Sequence, residues 1–300
     1  MVLSIGGYRL SSLVRRTVHE VIEDNILGLA AQTAYYFFFS LFPILLFITP
    51  LIGMLIDPRR VIAWLELQLG QTVPPETLQM LTDIVQDVVL SEGAPGLASV
   101  GALLALWAGS NVFNTLADAL NHAYDVTENR SWWKTRLMAI AMVMLSALVL
   151  GVGFVTLIAG RQIISFVAGL AGLSSGQELA WTLVQYSVSV GLLIVLAFLT
   201  LYLLPNIRQR KRLVLAGSVV TTALWIGATM LFRIYVVNFG NYNQTYGTIG
   251  AVIVLLTWMY LSMLVVLIGG ELTSELHKGT GSMWPRRGAV INERIATHFT

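Results

Sequence analysis

Cysteine is absent from this chain of 300 residues, and charged residues are scarce. Without cysteine the chain can form no disulfide, carry out no thiol chemistry and hold no metal through thiolates. Aspartate, glutamate, lysine and arginine together make up 11% of the sequence, whereas soluble domains carry about a quarter. So few charges cannot cover a surface exposed to water. With 56% hydrophobic residues and a mean hydropathy of +0.75, the composition is that of a membrane protein.

The sequence also lacks the motifs of familiar enzymes. Its four histidines, His19, His122, His277 and His298, are too scattered to suggest a metal site. No HExxH or Walker motif is present. Metal-dependent hydrolysis and ATP-driven pumping by this chain alone are therefore not expected. We predict a protein that is not an enzyme, with no catalytic residue, no metal ion and no cofactor.

Long apolar runs take the place of these motifs. A helix that crosses a bilayer needs about 20 mostly apolar residues. Pro43 and Pro50 interrupt the first run and should kink that helix rather than end it. The predicted fold class is all-α: a polytopic membrane protein with six transmembrane helices and additional amphipathic interfacial helices. The six windows are roughly residues 34–56, 97–118, 137–160, 182–204, 213–237 and 247–270.

The distribution of basic residues predicts the orientation of these spans. Most of the 18 lysines and arginines fall on one side when the six windows alternate across the membrane. Because cytoplasmic segments carry an excess of basic residues, both termini are predicted to be cytoplasmic. The residues on that side are Arg9, Arg15, Arg16, Arg130, Lys134, Arg136, Arg208, Arg210, Lys211, Arg212, Lys278, Arg286, Arg287 and Arg294. Topology explains this placement better than binding of nucleic acid, which we do not expect.

Segments outside the spans are amphipathic or polar. Residues 8–27 have apolar side chains on one face and charged ones opposite, so residues 1–30 are predicted to hold a helix in the cytoplasmic interface and no cleavable signal peptide. Residues 59–91 predict an outer hairpin of two amphipathic helices, either resting passively on the leaflet or forming a lid over the spans. The transmembrane domain is then residues 31–278, followed by a polar cytoplasmic tail at 279–300.

The second span ends in a polar stripe within the stretch GSNVFNTLADALNHAYDV. Its polar residues are spaced three, four, three and four apart, which aligns them on one face of a helix. Such groups within a membrane face protein or water rather than lipid. They could hydrogen-bond to neighbouring helices, line a water-accessible cavity open to the cytoplasm, or form an oligomer contact. The residues are Asn111, Asn114, Asp118, Asn121 and Asp125, of which the first four are assigned to the predicted cavity.

Other spans supply partners for this cavity. Gln32 and Tyr36 lie along one side of the first span and would face the stripe. Glu271 and Glu275 lie one turn apart near the end of the sixth span, where they would form the cytoplasmic mouth with Arg130.

Like charges at that spacing repel, so a cation should offset the two glutamates. The result would be a salt-bridged collar or a site for an ion or a lipid headgroup. The candidate cations are Arg130, Arg136 and the RQRKR run at residues 208–212. Small residues inside the spans are expected to allow close helix packing; they are Gly151, Gly153, Gly191, Gly217, Gly227, Gly247 and Gly250.

Four stretches of the sequence together resemble a known family. They are AAQTAYYFFFSLFPILLF, NVFNTLADALNHAYDVTENRSWWKTR, LYLLPNIRQRKRLVLAGSVVTTALW and YGTIGAVIVLLTWMYLSMLVVLIGGELTSEL. In this order they resemble the YihY/BrkB family of bacterial inner-membrane proteins, over roughly residues 10–278. The residues that match the family pattern most specifically are Pro205, Asn206, Tyr246, Gly247, Gly250, Ala251, Trp258, Tyr260, Gly269 and Glu271.

The resemblance implies a six-helix protein of the bacterial inner membrane, linked with serum resistance and envelope integrity as a virulence factor. The family formerly carried a ribonuclease BN label, against which the missing metal ligands argue. We hypothesise binding or transport of a lipid, an envelope precursor or a small polar molecule through a cytoplasm-facing cavity. The alternative is a scaffold for envelope integrity without cargo. Expected partners are membrane lipids and either a second copy of the chain or an envelope protein.

Overall fold

The computed structural model describes residues 4–5, 8–55, 94–170, 177–239 and 242–279. The described chain begins with two antiparallel strands of two residues each, in which Ser4 pairs with Arg9 and Ile5 with Tyr8. Seven helices follow within the described ranges. The elements are β1 (Ser4–Ile5), β2 (Tyr8–Arg9), α1 (Leu10–Glu23), α2 (Ile26–Leu55), α3 (Ala94–Ala123), α4 (Trp132–Leu170), α5 (Gln177–Leu203), α6 (Lys211–Phe239) and α7 (Tyr242–Gly279).

Six of these helices, α2 to α7, are long and apolar enough to cross a membrane. This confirms the six spans predicted from the sequence. The helices extend beyond the predicted windows: α2 begins at Ile26 rather than near residue 34, and α7 continues to Gly279 rather than ending near residue 270. Hydropathy detects only the stretch that matches the hydrocarbon, whereas backbone hydrogen bonds continue each helix into polar surroundings.

The first helix, α1, lies within the amphipathic segment predicted at residues 8–27. It packs against α7 and buries Leu13 and Thr17. Asn25 follows it in the left-handed conformation, with φ of 51°, a backbone state that asparagine tolerates well after a helix end. The chain can therefore turn at once into α2. The predicted outer hairpin at 59–91 and the tail after residue 279 lie outside the described residues.

The chain divides into two compact units, one made of residues 1–35 and 113–300 and the other of residues 36–112. In the larger unit the hydrophobic core includes Ile26, Leu120, Leu201 and Leu204, where α2 begins and α3 and α5 end. We call this the α1 end of the larger unit. In the smaller unit, a Cβ added to Gly101 would meet the backbone of α2, so α2 and α3 approach closely there.

Glycines join α6 to α7 in a reciprocal pattern within the larger unit. A Cβ on Gly217 of α6 would collide with Thr273 of α7, and a Cβ on Gly269 of α7 would collide with Thr221 of α6. The prediction of close packing is thus confirmed for Gly217. It is wrong for three others, because a Cβ on any of them would meet nothing within 4 Å; hydropathy and residue size do not reveal which face of a helix meets a neighbour. These three are Gly151, Gly191 and Gly227.

Candidate functional site: a buried polar cluster

Hydrogen bonds around Glu128 tie the segment after α3 to the end of α5. Arg130 donates to Glu128 through Nε at 2.9 Å and Nη2 at 2.6 Å, and its Nη2 also donates to the carbonyl oxygen of Leu204 at 2.7 Å. Asn121 donates to Glu128 at 3.0 Å and accepts the backbone N–H of Asn206 at 2.7 Å. Burial opposes ionisation of Glu128, but the hydrogen bonds from Arg130 and Asn121 outweigh it and lower its pKa.

Lys278, in the last turn of α7, is surrounded by three carboxylates. Its Nζ lies 3.0 Å from Oε1 of Glu275, 3.1 Å from Oδ2 of Asp125 and 3.9 Å from Oε1 of Glu20. Burial raises the pKa of Glu20, and the nearby Glu275 and Asp125 add to the rise while Lys278 opposes it. One cation therefore holds α1, the turn after α3 and α7 together.

A second glutamate of α7, Glu271, is wholly buried. It makes a hydrogen-bond contact with the side chain of Asp24, which is 7% exposed. Tyr124 is also wholly buried, in hydrogen-bond contact with Thr273 and close to Glu271. Burial raises the pKa of Tyr124, so its hydroxyl stays protonated. Among the described residues no lysine or arginine forms a salt bridge with Glu271.

His277 joins α7 to the start of α6. Its Nδ1 lies 2.8 Å from the carbonyl oxygen of Thr273, and its Nε2 accepts the backbone N–H of Arg210 at 3.1 Å. A ring nitrogen that accepts a hydrogen bond carries no proton, so this geometry assigns a neutral ring with its hydrogen on Nδ1. The buried imidazole is thus a structural link between two helices.

An open cavity of about 620 Å³ lies at the turn between α5 and α6. Its lining combines apolar, hydrogen-bonding and basic side chains. The ammonium group of Lys211 lies 5.9 Å from the ring centre of Tyr202, which places a further cation beside the lining. The lining residues are Tyr202, Leu203, Pro205, Asn206, Ile207, Arg208 and Gln209.

The polar stripe of α3 spans several environments. Asn121 is buried and hydrogen-bonded, Asn114 is half-buried, and Asp118 is exposed; all three belong to the larger unit. Asn111 is half-buried in the smaller unit. Asn121 therefore fits the interpretation of the stripe as packing bonds between elements, whereas a cavity lined by the other three stays a prediction.

The remaining predicted site residues also differ in their exposure, their partners and the unit to which they belong. Gln32 is exposed in the larger unit, and Tyr36 is 37% exposed in the smaller one. Arg130 is paired with Glu128, and Glu271 and Glu275 are buried. The mouth assigned to these three residues stays a prediction.

One of the candidate cations for the two glutamates of α7, Arg130, has a different partner. Arg130 pairs with Glu128, and Lys278 pairs with Glu275. The reason is geometric, because Lys278 lies three positions after Glu275 on the same helix face. The sequence reasoning also missed Asp24 and Glu128. Glu128 could have been found as a close neighbour of Arg130, but no local pattern joins Asp24 to α7.

Residues 17–289 match the family described as virulence factor BrkB. The chain belongs to this family. The ribonuclease-like protein YfkH of Bacillus subtilis (strain 168) is 35% identical to this BrkB-family chain over 266 residues, which cover 88% of the chain and 93% of YfkH. The UPF0761 membrane protein of Chromohalobacter salexigens is 25% identical over 281 residues, covering 92% and 67% of the two chains. The UPF0761 membrane protein of Neisseria meningitidis serogroup B is 29% identical over 228 residues, covering 73% and 52%.

The family match confirms the family suggested by the sequence motifs, and two of these relatives are described as membrane proteins. No solved structure matches the chain. The relative YfkH is described as ribonuclease-like. In the part of the BrkB-family chain that the structure describes, no group of three or more histidine, aspartate or glutamate side chains could hold a metal ion.

Proposed function

We propose that this BrkB-family protein is a non-enzymatic protein of the bacterial inner membrane, with both termini in the cytoplasm, that binds and moves a lipid or another amphiphilic envelope precursor. The proposal is carried by the open cavity of about 620 Å³ at the turn between α5 and α6. The basic run at residues 208–212 supports a cytoplasmic position for this turn, because cytoplasmic segments carry an excess of basic residues.

The lining of the cavity suits an anionic headgroup better than a purely polar solute. Tyr202, Leu203 and Ile207 offer apolar surface to glycerol and the first acyl carbons, whereas Arg208 and Asn206 offer hydrogen-bond donors. An arginine guanidinium matches the geometry of a phosphate group. A small polar molecule would leave the apolar part of this lining unused.

Two exposed residues of the predicted cavity lie at a comparable depth. Asp118 precedes the end of α3 by five positions, and Gln32 follows the start of α2 by six, which is about 8–9 Å along each helix. Both side chains would therefore reach the headgroup region near the same surface. Asn114 lies one turn deeper on α3 and would contact the cargo only as it moves.

Lipid binding by the purified full chain tests the proposal. Native mass spectrometry would compare phosphatidylglycerol and phosphatidylcholine in mixed micelles with the wild type, Arg208→Gln and Arg212→Gln. We expect the wild type to prefer phosphatidylglycerol and Arg208→Gln to weaken that binding about tenfold, the effect of a lost charged hydrogen bond. Arg212 is exposed outside the cavity lining, so its change should have less than about a twofold effect.

Equal binding of both lipids, or equal losses in both variants, would remove the cavity as the lipid site. Movement is measured separately in proteoliposomes, from the loss of fluorescence of labelled phosphatidylglycerol when dithionite is added outside. We expect faster loss than in protein-free vesicles. Binding without movement would instead favour a lipid-bound scaffold for the cell envelope.

A further inference from the structure

We infer that Asp24 and Glu271 form a proton-binding site, in which two buried carboxyl groups share one proton. Asp24 lies between α1 and α2, and Glu271 lies on α7. Neither residue lines the cavity at the turn between α5 and α6. The inference therefore stands whether or not a lipid binds there.

The first observation is the isolation of Glu271. Its side chain is 0% exposed, and that of Asp24 is 7% exposed. Within the described ranges, no backbone N–H, amide, alcohol, ammonium or guanidinium group donates a hydrogen bond to either carboxyl oxygen of Glu271. Its hydrogen-bond contact is with the carboxyl group of Asp24.

This contact requires a proton. Ionised carboxylates only accept hydrogen bonds, so two of them in contact would repel each other with no donor between them. Burial adds to the cost, because a bare carboxylate loses its hydration. If one carboxyl keeps its proton, it donates to the other, and the pair carries one negative charge instead of two.

Glu275 provides an internal comparison on the same helix. It is also buried, at 2% exposure, one turn after Glu271. Its Oε1 lies 3.0 Å from the ammonium group of Lys278, so an ionised form is compensated. Glu271 and Glu275 are thus buried to a similar extent but have different partners. Glu275 contacts a cation, and Glu271 contacts another acid.

Groups from three elements surround the pair. Glu20 of α1 adds negative charge and Lys278 of α7 adds positive charge, while Tyr124, after α3, lies close to Glu271. Lys278 forms ion pairs with Glu275, Asp125 and Glu20. These three carboxylates compensate most of its positive charge, so Lys278 stabilises little negative charge on Asp24 and Glu271. The surrounding charges therefore do not remove the need for a shared proton.

The site links proton occupancy to the packing of α1. Loss of the proton would leave two adjacent carboxylates where the end of α1 meets α7, and their repulsion would weaken this contact. The released proton would pass to water. Proton binding would in turn hold α1 against α7.

Infrared spectroscopy of the full chain in detergent at neutral pH tests the inference. A protonated carboxyl group has a C=O stretching band of its own, which shifts in D₂O. We expect the wild type to show this band and Glu271→Gln to lose it, because the glutamine amide donates to Asp24 and no proton is needed. Glu275→Gln is the matched control and should keep the band, because Glu275 contacts the ammonium group of Lys278 rather than a second acid.

Asp24→Asn is a second variant in case Glu271→Gln fails to fold, which circular dichroism would detect. It should also lose the band, since the asparagine amide then donates to Glu271. Absence of the band from the wild type, its persistence in both variants of the pair, or its loss in Glu275→Gln would each overturn the inference. None of these outcomes depends on lipid binding.

Discussion

At the residue scale, Asn121 shows what an amide does that a carboxylate cannot. Its Nδ2 donates to Glu128 at 3.0 Å, and its Oδ1 accepts the backbone N–H of Asn206 at 2.7 Å. The amide supplies both a donor and an acceptor from the end of one side chain, whereas an ionised carboxylate only accepts. The stripe in the sequence predicted a polar residue turned towards a partner, but Asn206 is 85 positions away and no local spacing identifies it.

Asn121→Asp is expected to destabilise the protein by about 1–3 kcal/mol. The change removes the donor to Glu128 and sets two carboxylates side by side in a buried position. The measurement is the free energy of unfolding in detergent, from denaturant titration followed by circular dichroism. Asp118→Asn is the control on the same helix; because Asp118 is exposed, its effect should stay within about 0.5 kcal/mol. Equal effects of the two changes would contradict this role for Asn121.

At the element scale, α6 and α7 are joined by two Gly-xxx-Thr pairs. Thr221 donates to the carbonyl oxygen of Gly217 at 2.8 Å, and Thr273 donates to that of Gly269 at 2.7 Å. Each threonine packs against the glycine of the other helix. Rotating either hydroxyl away would break the hydrogen bond that it donates. Neither threonine can therefore make room for an added methyl group without losing that hydrogen bond.

Gly217→Ala should therefore lower the free energy of unfolding by about 1–3 kcal/mol, the usual cost of overpacking. Gly227→Ala, on the same helix, is the matched control, because a Cβ there meets nothing within 4 Å. Alanine favours helix over glycine, so the control should leave stability unchanged or raise it by up to about 1 kcal/mol. Thermal unfolding in one detergent compares both variants, and a Gly217→Ala protein as stable as the control would refute the close approach.

The helix α1 has two apolar faces. Leu13 is buried where α1 packs against α7, whereas Val14, Val18 and Ile22 are exposed. These three residues lie four positions apart and form one row on the helix. The exposed row supports the prediction that α1 lies in the membrane interface, because exposed apolar rows beside charged residues are typical of interfacial helices.

At the scale of the whole molecule, the exposed surface of the described helices is rich in large apolar residues, among them Leu103, Leu148, Leu231 and Val237. A soluble protein would bury such residues. The buried polar cluster lies instead at the α1 end of the larger unit, together with Arg130 and Lys278.

The predicted orientation can be measured with single cysteines, since the chain has none of its own. Arg16→Cys and Asn129→Cys replace exposed residues at the predicted cytoplasmic side, and Gly96→Cys replaces an exposed residue near the start of α3. In intact spheroplasts, a membrane-impermeant maleimide should label only the cysteine at position 96, and after lysis it should label all three. The reverse pattern would contradict cytoplasmic termini.

Local sequence patterns were sufficient to predict the number of spans and the amphipathic helix α1, because both depend on the polarity and spacing of neighbouring residues. They were also sufficient to place polar groups at one end of the spans. They could not tell which glycines permit close packing, or that Glu275 meets a lysine and Glu271 an aspartate. Those outcomes depend on which helix lies opposite, and therefore on contacts between residues that are far apart along the chain.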